Sequence, residues 1–310
     1  MNREGKLHAL LSTARVANVP SVVSNVWVGV ILGMLRYQSD HFTPLPRQGL
    51  LLLPLAGVFL YLSGNFFNDW MDRKWDETHR PERALPRRLF SPTLYAATAA
   101  LLATLGLASA FAASHPSGWV AMGIAFSIII YTLVHKRTTW GVIPMGLCRA
   151  LLPLMGSVAL FPYLDYVWPA AAALFCYIVG LSLTARYESL AEPPKWIGVM
   201  SRGLLLGVAV LVVWGNKKQF VEFAPNVAGV LPYLLWTSLS LRIWRKPIPV
   251  LVSRLLAGIP LVDAITLLPV SAMLFQGSAD FLNPWAFACM LIPIIAFVSA
   301  LLLQRLAPAT

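Results

Sequence analysis

Nearly all of this chain is apolar stretches of membrane-crossing length, separated by short polar clusters. They run near 16–35, 49–68, 90–114, 116–134, 138–161, 166–185, 198–216, 224–241, 250–277 and 282–304. A spanning helix needs about 20 mostly apolar residues. With no water in the hydrocarbon layer to satisfy backbone groups, only helices or closed barrels can cross it, and no strand-like alternation is visible. The expected fold is therefore an all-α polytopic membrane bundle of nine or ten transmembrane helices, a single integral-membrane domain over residues 1–310. The ninth stretch is interrupted by Pro260, Asp263 and Pro269, so it is expected to be broken or re-entrant.

Composition excludes the soluble alternatives. The chain is 58% hydrophobic and only 12% charged, with a mean hydropathy of +0.69, against roughly 45–50% apolar and about 25% charged in ordinary globular domains. A net charge of +11 would otherwise suggest nucleic acid, but basic loops on one face of the membrane account for it. With the N-terminus placed inside, the outside loops hold only Arg36, Arg47, Lys217 and Lys218. Arg149 lies within the membrane, and every other basic residue falls inside. The positive-inside rule thus puts the loops after the second, fourth and sixth segments in the cytoplasm, at the inner or plasma membrane if the source is bacterial. The first fifteen residues are polar and show no apolar core with a cleavage site, so no cleaved signal peptide is expected. Cys148, Cys176 and Cys289 share no ligand spacing and lie in apolar stretches, where a free thiol behaves as a small apolar side chain. His8, His41, His79, His115 and His135 form no ligand pair and are assigned no metal.

The acids are concentrated. Asp69, Asp72, Asp76, Glu77 and Glu82 fall together directly after the second apolar segment. Asp69, Asp72 and Asp76 stand at i, i+3 and i+7, with Asn68 opening the set, which puts three carboxylates on one helical face. Like charges at that spacing repel, and a hard divalent cation would relieve them. Mg²⁺ takes carboxylate oxygens together with substrate phosphates, and Arg80 and Arg83 follow at once. The competing explanation is a solvated juxtamembrane helix whose charges merely alternate.

The run Asn68-Asp69-x-x-Asp72-x-x-x-Asp76 followed by Arg80-Pro81-x-Arg83 resembles the first aspartate-rich motif of the UbiA superfamily of intramembrane prenyltransferases. Ala84 stands where that family usually has a second proline, and its closing glycine is missing. Tyr131-x-x-x-x-Lys136-Arg137-x-Thr139 is similar to the family's Tyr…Lys-Arg loop, and Arg15-x-x-Asn18-x-Pro20 to its opening turn. At the end of the sixth segment, where the family carries two aspartates four apart, this chain has Glu188 and Glu192. Pro193 disfavours helical geometry at Glu192. The departure resembles a divergent UbiA-like branch found in ebo-type gene clusters, and it bears on whether a second metal is held.

The resemblance implies Mg²⁺-dependent transfer of a prenyl group from an isoprenyl diphosphate to a lipophilic or aromatic acceptor within the membrane. It implies metal binding by Asn68, Asp72 and Asp76, with Asp69 sharing the load or orienting the helix, on one side, and by Glu188 and Glu192 on the other. Arg80, Arg83, Lys136, Arg137 and Arg149 would grip the diphosphate, and Tyr131 and Tyr187 would face the forming carbocation. For Lys136 and Arg137, topology alone would also demand basic residues. Arg149 and Asp263 are charges inside spans, each a functional hypothesis by default. The partner expected for Arg149 is the acidic mouth or the diphosphate, with interhelical pairing as the alternative, while Asp263 has no motif behind it. A non-catalytic lipid-binding or transport-linked protein on the same fold is the second reading. The CDP-alcohol phosphotransferases, whose motif needs Asp-Gly-x-x-Ala-Arg, are set aside because no such run occurs.

Overall fold

The computed structural model describes residues 3–38, 47–160, 164–186, 194–219, 223–244, 246–277 and 284–307. Those residues form twelve helices and two short 3-10 turns, Val16–Asn18 and Thr139–Gly141. The helices are α1 (Arg3–Ala14), α2 (Val19–Gln38), α3 (Arg47–His79), α4 (Pro92–Ala113), α5 (His115–Val134) and α6 (Val142–Ser157) in the first half. The second half holds α7 (Trp168–Arg186), α8 (Lys195–Gln219), α9 (Phe223–Arg242), α10 (Ile248–Ala257), α11 (Ile259–Gly277) and α12 (Pro284–Leu303). Among the described residues each of the ten apolar stretches contributes helix, and eight spans are long and apolar enough to cross a membrane. The protein is an integral, multi-pass membrane bundle.

Lipid acts as the solvent. Leu101 on α4, Val199 and Val210 on α8, and Ile295 and Leu302 on α12 are all exposed, which in water would be a liability and in a bilayer is the ground state. Inside, small residues let backbones touch. A Cβ on Gly29 of α2 would come within 1.8 Å of the Pro153 carbonyl oxygen on α6, and one on Gly156 within 2.4 Å of the Val26 carbonyl. This crossing locks α2 to α6. Asn25 and Arg149 each lie one turn before it, at i−4 from Gly29 and Pro153.

The ninth stretch is broken, as its prolines require. It divides at Gly258 into α10 and α11, with Pro260 in the first turn of α11. The last carbonyls of α10 take side-chain donors beside the Gly258 N–H: Trp236 Nε1 gives to Arg254 O at 2.8 Å and Tyr177 Oη to Leu255 O at 2.7 Å. Irregular backbone at membrane depth survives where protein satisfies it in this way. Further along α11, Pro269 has no N–H for the Ile265 carbonyl, and Asn216 Nδ2 of α8 supplies the missing donor at 3.2 Å.

Candidate active site

The second apolar stretch does not end before the acidic motif. α3 continues unbroken to His79, so Asn68, Asp72 and Asp76 are the last turns of a membrane helix and inherit its rigidity. All three are buried and line a cavity of about 670 Å³. Its walls come from α3, α5, α6, α7 and α10, with Arg15 and Asn18 from the turn before α2.

Like-charge repulsion along this face is met by the chain's own cations. Lys136 Nζ lies 2.8 Å from Asp72 Oδ1, and His135 Nε2 lies 3.3 Å from Oδ2. Asn68 Nδ2 also gives to Asp72 Oδ2, at 3.3 Å. Arg83 Nη1 bridges Asp69 Oδ1 at 3.2 Å and Asp76 Oδ2 at 2.9 Å. Lys136 sits 3.8 Å over the Trp75 ring, which itself stacks on His79. Gly141 is required here, because a Cβ on it would meet the His135 Cα at 2.6 Å. Arg186 donates to the His135 carbonyl, and the His135 ring stacks on Tyr131 with centroids 4.8 Å apart.

The opening turn is stapled to α3. Arg15 adopts a left-handed conformation, φ 46°, which costs an ordinary residue about 1–2 kcal/mol. In return its guanidinium reaches Asn65 Oδ1 at 3.1 Å and Asp69 Oδ1 at 3.8 Å. Asn65 Nδ2 gives back to the Ala14 carbonyl and Tyr61 Oη to the Arg15 carbonyl. Burial works against the Arg15 charge, but Asp69 and its neighbours hold the guanidinium above its ordinary pKa.

Two buried acceptors on this face have no hydrogen-bond partner among the described residues: Asn68 Oδ1 and Asp76 Oδ1. Among the described residues no group of three His, Cys, Asp or Glu side chains is arranged to hold a metal ion by itself. Two carboxylates and an amide oxygen form a partial oxygen donor set, which suits Mg²⁺ completed by substrate phosphates rather than a closed protein cage. The residues present fit that ion.

Of the residues expected from sequence, Asn68, Asp72, Asp76, Arg80, Arg83, Tyr131, Lys136 and Arg149 all line the one cavity. Asp69 does not; it is spent on Arg15 and Arg83. Arg137 is exposed and stays outside the lining. Tyr187, Glu188 and Glu192 lie outside the described residues. Arg149 is held by α2, where Nη1 gives to Ser21 Oγ at 3.0 Å and to Asn25 Oδ1 at 3.1 Å. Arg15, His135, Trp75 and Arg186 also line the cavity and were not singled out as site residues from sequence. Arg15 was signalled by its opening turn, and His135 by its place beside Lys136.

Residues 26–268 match the model of the UbiA prenyltransferase family. A digeranylgeranylglyceryl phosphate synthase from Methanothrix thermoacetophila is 26% identical over 228 residues, 73% of this chain and 79% of that protein. An apo structure of a UbiA homologue from Aeropyrum pernix K1 superposes with a TM-score of 0.59 at 14% identity, covering 93% of this chain and 98% of that one. A structure concerned with digeranylgeranylglyceryl phosphate synthase in membranes gives a TM-score of 0.52 at 18% identity, with 96% and 98% covered. At these identities the two structures bear on the fold alone. The family match, in contrast, runs from α2 into α11 and takes in the whole acidic end of α3. The chain belongs to the UbiA prenyltransferase family.

Proposed function

We propose that this protein transfers a prenyl group from an isoprenyl diphosphate to a lipophilic or aromatic acceptor inside the membrane, with Mg²⁺ as cofactor. The observation that carries the reading is the pair of unpartnered buried oxygens, Asn68 Oδ1 and Asp76 Oδ1. They lie on the face of α3 that lines the cavity also reached by Arg80, Arg83 and Lys136. Buried acceptors without donors are costly, and a cation brought in by a diphosphate would satisfy them.

Asn68, Asp72 and Asp76 would hold Mg²⁺, which when bound offsets the charge that develops on the leaving diphosphate. Glu188 and Glu192 are proposed for a second ion. The cations divide by chemistry: Arg80 and Arg83 suit bidentate contacts to phosphate oxygens, Lys136 a point contact. Arg137 would meet the diphosphate only at the rim. Lys136 must trade Asp72 for phosphate when substrate enters, and the Trp75 ring beneath it steadies the ammonium during that exchange. Tyr131 lines the cavity with its ring fixed against His135, placed to face an allylic cation, a role proposed also for Tyr187. Ile124, Ile128, Leu152 and Ile178 give the apolar wall an isoprenoid chain needs. The loops carrying these residues are proposed to face the cytoplasm, from the distribution of basic residues. The name of the Methanothrix relative adds a glyceryl phosphate lipid to the candidate acceptors.

One observation favours the second reading, a lipid-binding protein that has lost the metal: Lys136 and His135 already claim both Asp72 oxygens. The open oxygens of Asn68 and Asp76 weigh against it. The test is binding of a non-ionisable thio-diphosphate analogue of geranylgeranyl diphosphate to the purified protein in nanodiscs, with Mg²⁺ or chelator, for wild type and Asp72→Asn. Binding that needs both Mg²⁺ and Asp72 supports the enzyme; binding indifferent to both removes it.

A further inference from the structure

The two charges buried in the spans, Arg149 and Asp263, belong to one network. Asn25 of α2 stands between them: its Oδ1 accepts from Arg149 Nη1 at 3.1 Å, and its Nδ2 gives to both Asp263 oxygens at 3.0 and 2.9 Å. Ser24 Oγ closes the far side of Asp263 at 2.5 Å. Ser21 Oγ accepts from Arg149 while giving its own proton to the Asn18 carbonyl at 2.6 Å. Asn25, Ser21 and Ser24 are fully buried and Asp263 is 2% exposed. The backbone contact of Gly29 with Pro153 fixes the spacing between Asn25 and Arg149.

This construction is lopsided. Asp263 has its oxygens filled by Asn25 and Ser24, whereas Arg149 has both its bonds on Nη1. The N–H groups of Nη2 and Nε meet no acceptor among the described residues. Arg149 lines the cavity and Asp263 does not. A guanidinium that lines the cavity with donors to spare, held at Nη1 by Ser21 and Asn25, is built to receive an anion.

The anion is not the diphosphate at the acidic end of α3. Arg149 lies 5.3 Å over the Tyr61 ring, and Tyr61 precedes Asp72 on α3 by eleven residues, roughly 16 Å along the helix. Between those two ends the lining includes Ile128, which packs against Gly64 of α3.

We infer that Arg149 is the receptor for an oxyanion, a carboxylate or a phosphate, carried by the acceptor substrate, and that Ser21, Asn25, Ser24 and Asp263 are the residues that position it. The inference rests on the prenyl-transfer reading above and narrows its acceptor to an anionic one. Asp263 balances the guanidinium at rest through Asn25, so the empty site tolerates its charge. An entering oxyanion takes the donors on Nη2 and Nε, and its tail points the nucleophile toward the metal end. No bond is made or broken at Arg149.

The experiment uses the full chain in nanodiscs with Mg²⁺ and the thio-diphosphate analogue bound. Two pairs of probes separate the sources of oxyanion: 4-hydroxybenzoate against 4-hydroxybenzamide, and geranylgeranylglyceryl phosphate against geranylgeranylglycerol. Wild type is expected to bind one anion about tenfold or more tighter than its uncharged partner, the scale of a charge-assisted hydrogen bond. Arg149→Gln should erase that preference, Arg149→Lys should keep part of it, and both should bind the donor analogue within about twofold of wild type. Asp263→Asn should keep the preference or sharpen it, because the resting counter-charge is gone. Equal binding of charged and neutral probes by wild type overturns the inference, as does an Arg149→Gln protein whose donor binding falls instead. If Arg149→Gln does not fold, Arg149→Lys decides it: a preference equal to that of wild type, or donor binding that falls, overturns the inference. Failure of wild type to bind the donor analogue with Mg²⁺ would sink the prenyl-transfer reading by itself.

Discussion

Lys136 and Asp72 form a 2.8 Å ion pair across the mouth of the cavity, so the carboxylate proposed to hold Mg²⁺ is already held by a lysine proposed to hold diphosphate. The pair makes the two ligands interdependent. Lys136 competes with the metal for Asp72 and releases it when phosphate oxygens offer themselves. Lys136→Gln is therefore expected to act in opposite directions on the two. Mn²⁺ binding without substrate, followed by electron paramagnetic resonance, should tighten several-fold, while the donor analogue should bind about tenfold more weakly. Weakening of both would mean that Lys136 supports the metal rather than competing with it.

Arg83 makes a different prediction, because one nitrogen serves two acids. Removing it leaves Asp69 with the more distant Arg15, and leaves the buried Asp76 with only the longer-range charge of Lys136 among the described residues. Breaking a buried pair from one side typically costs about 3–5 kcal/mol. Arg83→Ala should lower the thermal midpoint markedly as well as activity, and added Mg²⁺ should restore part of the lost stability by occupying Asp76. A variant of unchanged midpoint would show that the bridge contributes nothing to the fold.

The architecture and the first acidic motif were legible because each rests on a local rule. Apolar length gives the helices, and i, i+3, i+7 spacing gives the shared face. What turns Asp69 aside from the wall that Asn68 shares was not legible, because it depends on Arg15, distant in sequence and brought there by a left-handed residue. His135 was legible only as a neighbour of Lys136. A histidine at a helix end carries no signature of its own until Gly141 lets the chain fold back against it. The break in the ninth stretch could be anticipated from its prolines, but not its place at Gly258, which is set by donors from α7 and α9. Asp263 had no partner in sequence because Asn25 reaches it from the other end of the chain.

Glycines that look alike in sequence should behave oppositely. Gly29 faces the Pro153 carbonyl with no room for a Cβ, whereas Gly203 on α8 has nothing within 4 Å. Gly29→Ala must push α2 from α6 and should destabilise by at least about 1–3 kcal/mol, the usual cost of overpacking. Because the same crossing spaces Asn25 from Arg149, acceptor binding should suffer too. Gly203→Ala should be neutral or stabilise by up to about 1 kcal/mol through helix propensity. Thermal midpoints in one detergent would compare them directly, and equal shifts would contradict the close crossing.

Asn216 and Pro269 give a prediction that no inspection of either residue alone would suggest. Pro269 leaves the Ile265 carbonyl without its helical donor, and Asn216 provides the substitute from α8. Asn216→Ala leaves that buried oxygen bare and should cost about 1–3 kcal/mol. Pro269→Ala restores an N–H in the right place, so in that background the same Asn216→Ala change should cost less. The double-mutant cycle, read from detergent unfolding midpoints, should therefore show coupling of about 0.5–3 kcal/mol. Strict additivity would mean that the Asn216 amide stabilises α8 through its other contacts and that the proline gap is filled in some other way.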